Sequence, residues 1–210
     1  AQVGDVDALD DIVGVVRSVV QPRTLLGAAA VAVIGRSREI ESTPGITLFV
    51  ARLSSPPVPV RFQTVDTPEG LQIGSSVDDL GGGHSLLLIA DPFTFPVDGL
   101  LDGLRGSDPG VTVVGGLASA ANAPGGNRLL LDDGLFSDGA VGALLAEDVS
   151  PQSVVSQGCR PIGSPYIVTN AEGNVILELA GQPALERLLD TLEHLGHEDR
   201  MLASRGLHCG

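Results

Sequence analysis

HSLLLIADPFTFPVDGLLDGLRGSDPGVTVVGGL, residues 84–117, carries the pattern that decides the fold. It opens with a continuous apolar run, 84–90, as expected of a central strand buried on both faces. The run stops at Asp91-Pro92. Residues 96–105 then suit a helix. Pro96 falls at or near its first position, where a missing N–H costs little, and Leu100, Leu101 and Leu104 share one face. Pro109-Gly110 turns the chain into 111–114, a second buried apolar strand. Strand, helix and strand within about 30 residues make a βαβ unit with a parallel strand pair.

Working outward, residues 5–20 read as a helix. Asp5 or Asp7 can cap it, and Leu9, Ile12, Val13, Val16 and Val20 follow helical spacing. Residues 25–35 are small and apolar, a buried strand or strand and turn. Residues 45–53 and 58–65 are apolar and β-rich, split by Ser54-Ser55-Pro56-Pro57, and suggest adjacent antiparallel strands. Residues 66–83 are polar, end in three glycines, and read as a loop. Downstream, 128–131 and 140–146 are strands with a turn at Asp132-Asp133-Gly134 between them. Short strands are expected at 154–159, 166–170 and 175–179, and an amphipathic helix at 183–195, where Leu185, Leu188, Leu189 and Leu192 repeat at helical spacing. The expected fold is α/β: a layered arrangement with a mixed, largely Val/Leu sheet and a few flanking helices. A boundary is expected within 147–151, dividing the chain into 1–148 and 149–210. Both ends read as cut, because the chain starts on a helix and stops where a strand could begin.

Composition narrows the function. Hydrophobic residues make up 43% of the 210 and aromatic residues only 3%, so the core must be aliphatic. Gly (28) and Pro (14) form a fifth of the chain, against about 12% in average usage, which favours short strands and tight turns. Net charge is −14, a field that repels phosphate backbones and anionic head groups, so neither nucleic acid nor membrane is an expected partner. All 12 basic residues are Arg. Without Lys there is no Schiff base and no phosphate-loop Lys. Cys159 and Cys209 are too few for a disulfide framework and read as free thiols in a reducing cytoplasm. No apolar run approaches the ~20 residues of a membrane helix, and residues 1–11 lack the basic start of a secretory signal.

Two glycine-rich segments stand out. In the first, 115–128, a strand empties into a stretch without bulky side chains. Gly115, Gly116, Gly125 and Gly126 allow close backbone approach to a ligand. Ser119, Asn122 and Asn127 offer polar contacts, and Arg128 offers a carboxylate partner. The same residues also suit a plain connection. The segment has neither the GxGxxG spacing of a dinucleotide site nor the GxSxG of a nucleophile elbow. In the second, 157–163, Gln157, Cys159 and Arg160 lie at an expected strand end. A neighbouring guanidinium lowers a thiol pKa, so Cys159 is either a reactive or ligand-contacting thiol, or a buried structural one. Asp91 ends the first strand of the βαβ unit, where open α/β sheets bind ligands, and it equally fits a turn cap. His194 and His197 have a spacing that can ligate metal, without a third ligand nearby in sequence. No catalytic residue, metal site or cofactor is expected.

Taken in order, Leu25-Leu26-Gly27-Ala28, Val33-Ile34-Gly35, Ala90-Asp91-Pro92-Phe93-Thr94-Phe95-Pro96, Val114-Gly115-Gly116-Leu117-Ala118-Ser119, Gly125-Gly126-Asn127-Arg128 and Asp138-Gly139-Ala140-Val141-Gly142 resemble the N-terminal part of the FIST sensory domain. Residues 157–163 and 174–185 resemble the opening of its C-terminal part. The resemblance implies an intracellular, signal-transducing module that senses a small ligand such as an amino acid or other small carboxylate, with a signalling protein as partner. Two alternatives stand beside it: thiol chemistry at Cys159, which the adjacent Arg160 suggests, and a protein-interaction platform, which F-box relatives of the family imply. Ala28 stands where the family often carries Cys.

Overall fold

Short runs of apolar residues, each closed by Gly, Pro or Asp, divide the chain into short elements. The computed structural model describes residues 6–35, 37–41, 43–68, 70–78, 80, 85–107, 109–154, 161–173, 175–204 and 206–207. Contacts split the chain into two units, Ala1–Ser153 and Val154–Gly210. The first contains, in order, α1 (Val6–Val20), β1 (Leu26–Ala28), β2 (Val33–Gly35), β3 (Arg38–Ile40), β4 (Val58–Thr67), β5 (Gly70–Ser75), β6 (Ser85–Ala90), α2 (Val97–Ser107), β7 (Thr112–Leu117), β8 (Leu129–Leu131), β9 (Gly134–Phe136) and β10 (Ala140–Leu145).

The main sheet has the order β5-β4-β10-β6-β7. Every pairing in it is antiparallel except β6 with β7, which run parallel with Ala90 opposite Leu117. This mixed sheet carries a core on each face. On one face Val60, Phe62, Leu86, Leu88, Ala140 and Leu144 pack with Leu100 and Leu104 of α2. On the other, Val141 and Ile89 pack with Leu26, Leu129, Leu131 and Phe136 of a smaller sheet, β1-β8-β9. The α/β layered fold expected from the sequence is therefore the one observed. One charged side chain is built into it. The Arg61 guanidinium donates to the carbonyls of Phe62 (2.5 Å) and Ala140 (2.8 Å), pairs with Asp138, and lies 4.5 Å from the Phe136 ring centroid. Burial lowers its pKa, and Asp138 works against that shift.

Four local expectations are corrected. Residues 45–53 form no strand beside β4, because β5 and β10 already occupy both edges of β4. The segment stays open, with Phe49 90% exposed. Residues 66–83 are not all loop. Leu71 and Ile73 alternate with Gln72 and Gly74, and β5 forms there, with Gly70 at φ 118 entering it. The turn at Asp132–Gly134 joins β8 to β9, while β10 crosses to the main sheet. The second apolar strand, β7, is an edge strand with Leu117 57% exposed.

The second unit is a small sheet of β11 (Val168–Glu172), β12 (Val175–Leu179) and β13 (Gln182–Pro183), followed by α3 (Ala184–Glu193) and α4 (His197–Ala203). The turn between β11 and β12 has Gly173 at φ 58, a conformation that suits glycine. Arg187 of α3 lies over the Tyr166 ring at 5.3 Å.

Candidate functional site

Because β6 and β7 run parallel, the residues that follow them emerge at the same end of the sheet. Asp91 follows β6 and is 0% exposed. Burying a carboxylate there requires partners, and the sequence supplies them. Asn127 Nδ2 donates to Asp91 Oδ1 at 2.7 Å, and the Thr94 hydroxyl donates to Oδ2 at 2.5 Å. Thr94 Oγ1 accepts from the Gly139 N–H at 2.9 Å, and the Asp91 N–H donates to Gly139 O at 2.8 Å. Asn127, also 0% exposed, accepts from the Ala121 N–H at 3.0 Å. The network clamps the end of β6, the loop after β7 and the start of β10. Of the sequence's two readings of Asp91, the structural tie is the one with visible partners.

The loop after β7 uses most of its polar groups on itself and its neighbours. Arg128 Nη1 donates to the carbonyls of Gly125 (2.8 Å) and Asn127 (2.7 Å). Ser119 Oγ accepts from the Val31 N–H at 3.3 Å. Gly125 has φ 77, and a Cβ on Gly126 would lie 2.5 Å from that of Ala121. Asn122 is exposed. Gly115 and Gly116 belong to β7 itself, so the loop begins at Ala118. Gln157, Cys159 and Arg160 lie outside the described residues, as do His84, His208 and Cys209. His194 Nδ1 lies 2.7 Å from the Asp190 carbonyl oxygen, which with the Asp190 carboxylate raises its pKa. Among the described residues, no three His, Cys, Asp or Glu side chains gather as a metal ion would need.

A cleft opens beside this clamp, between α2 and β7, with a volume of about 540 Å³. Pro96, Val97, Asp98 and Leu101 form its helical side, and Val113, Gly115, Gly116 and Leu117 its strand side. Leu88, Ala90 and Phe95 also line it, and Asp98 is the one charged side chain among its lining residues. A second cleft of about 290 Å³ shares Leu101 and Val113 with the first and reaches Arg105. Of the site residues expected from the sequence, only Gly115 and Gly116 line the larger cleft. Asp91 and Asn127 are fully buried and do not line it. Val97, Asp98, Leu101 and Arg105 were not legible as site residues, because an acid in a first helical turn and a base in the last read as ordinary dipole complements.

The family model of the FIST N domain matches residues 4–182. The chain belongs to the FIST N domain family. FIST domains are sensory modules of signal transduction, and this FIST N domain shares that coarse role. The match crosses the division at Ser153 and runs through β12. The chain is 38% identical to the uncharacterized protein Rv0628c of Mycobacterium tuberculosis over 205 residues, 97% of this chain and 53% of that protein. It is 37% identical to the uncharacterized protein Mb0898c of Mycobacterium bovis, over 97% of this chain and 52% of that one. This FIST N domain thus spans about half the length of the curated relatives it matches. No solved structure matches it. Among the described residues, no helix is long and apolar enough to cross a membrane.

Proposed function

We propose that this FIST N domain serves its sensory protein by binding a small organic ligand in the cleft between α2 and β7. The observation that carries this reading is the cleft itself. Its volume of about 540 Å³ falls in the roughly 300–1,000 Å³ range of small-molecule sites, its lining is mostly apolar, and it lies at the carboxyl ends of the parallel pair β6 and β7. Amino acids and small carboxylates are the class the family suggests, and a signalling protein is the expected downstream partner. Cys159, on which the thiol reading rests, lies outside the described residues. The exposed apolar segment containing Ile46, Leu48, Phe49 and Val50 favours a second reading, in which the domain also docks a protein.

The test is a thermal-shift screen of amino acids, small amines, carboxylic acids and short peptides. A ligand at 100 times its Kd adds about 2.7 kcal/mol of stability. The expected result is stabilisation by at least one class, lost in Leu101→Trp, where the indole fills the cleft. Stabilisation that survives Leu101→Trp, or none with any compound, overturns the reading.

A further inference from the structure

We infer that the ligand class is a short, extended apolar peptide with both ends free, its amino terminus held by Asp98 and its carboxylate by Arg105. The inference rests on the binding reading above and narrows it. The two clefts share Leu101 and Val113 and so adjoin along α2 and β7, making the two halves of the proposed groove. Its larger half carries one charge, the acid Asp98, and its smaller half one charge, the base Arg105. These residues are seven apart on one helix, hence on the same face and separated by about 10 Å along its axis. Between them the walls are Val97, Leu101, Leu104 and Val113. The groove is therefore negative at one end, positive at the other and apolar between.

A single α-amino acid carries its ammonium and carboxylate on the same carbon and cannot reach both ends. An extended chain covers at most about 3.3–3.6 Å per residue, so roughly three residues match the span. Arg105 already pairs with Asp102 at 2.8 Å, but both side chains are more than 70% exposed (77% and 73%). Such a pair is weak, and a guanidinium retains donors for a second carboxylate. Arg128 is occupied with Gly125 and Asn127 and does not line the groove. The polarity also sets direction. The chain of α2 returns antiparallel to β6 and β7, as a right-handed βαβ crossover requires, so Asp98 lies toward the end of β7 and Arg105 toward its start. The bound peptide runs antiparallel to β7.

The experiment compares the free tripeptide Leu-Ala-Leu, its N-acetyl form, its C-amide form and free leucine. Affinity and amide chemical-shift changes are read on the whole chain by NMR. The free tripeptide should bind about tenfold or more tightly than either capped form or leucine, and should shift the amides of α2 and β7. Asp98→Asn should abolish the penalty for acetylation, and Arg105→Gln the penalty for amidation. Both side chains are exposed, so both variants should fold. Capped forms or leucine binding as well as the free tripeptide would overturn the peptide inference and leave the cleft reading standing. A tripeptide that shifts no groove amide, while another compound from the screen does, has the same consequence. If nothing binds the groove, both fall.

Discussion

Asp91 and Asn127 are polar side chains that a folded protein can bury only if each finds partners, and here they find one another. A carboxyl group with no exposed surface, held by an amide and a hydroxyl, fixes the positions of three chain segments. Removing it leaves the buried Asn127 amide with only the long contact to the Ala118 carbonyl (3.4 Å) and takes the acceptor from the part-buried Thr94 hydroxyl. A hydrogen bond contributes about 0.5–1.5 kcal/mol net, and a buried donor left short of a good partner costs about 1–3 kcal/mol more. Asp91→Ala should therefore lower unfolding free energy by about 3 kcal/mol in chemical denaturation. Ligand affinity of the folded fraction should stay within twofold, because Asp91 does not line the groove. A variant of unchanged stability with lost affinity would return Asp91 to the ligand site. The sequence placed both residues at the right end of the sheet. It could not show that both are fully buried, because burial of a polar group depends on what packs over it, and Asn127 and Gly139 lie far from Asp91 and Thr94 in sequence.

At the level of elements, β7 shows how a glycine pair with loop-like composition can continue a strand. Gly115 and Gly116 have poor strand propensity, yet they continue the parallel ladder opposite Leu88 and Ile89. Their roles differ. A Cβ on Gly115 would collide with the backbone carbonyl of Leu88, whereas one on Gly116 would meet nothing within 4 Å. Gly115→Ala should cost about 1–3 kcal/mol through forced separation of β6 and β7. Gly116→Ala should stay within about 0.5 kcal/mol. Urea denaturation of the two variants checks this, and equal costs would refute the close approach. The βαβ unit was legible because apolar runs, Pro96 and the Pro109-Gly110 turn all point the same way. The edge position of β7 was not, since an apolar run has the same sequence whether one neighbour flanks it or two. Residues 45–53 failed for the complementary reason. Their strand propensity is real, but β4 had no free edge to receive them.

Across the whole molecule, burial is divided unevenly between the two units. The first sets its aliphatic core on both faces of a five-stranded sheet, with Val60, Leu86, Leu129, Ala140 and Val141 fully enclosed. In the second, no described residue is buried, and Val168, Val175, Leu185, Leu189 and Met201 are exposed. Since apolar burial is the main favourable term in folding, local stability should follow the same division. Backbone amides of β6 and β10 lie at the centre of the first unit's ladder and should exchange with solvent only when the chain unfolds globally. Amides of β11 and β12, though hydrogen-bonded as a hairpin, should open independently and exchange at least a hundredfold faster. A hundredfold difference corresponds to about 2.7 kcal/mol of opening free energy, well within the range separating mobile segments from core strands. Native-state hydrogen exchange followed by mass spectrometry or NMR resolves the two sets. Equal protection would mean that β11 and β12 unfold only together with the main sheet. A bound peptide in the groove should slow exchange in α2 and β7 while leaving β11 and β12 unchanged, because the stabilisation it supplies acts through the first unit's core.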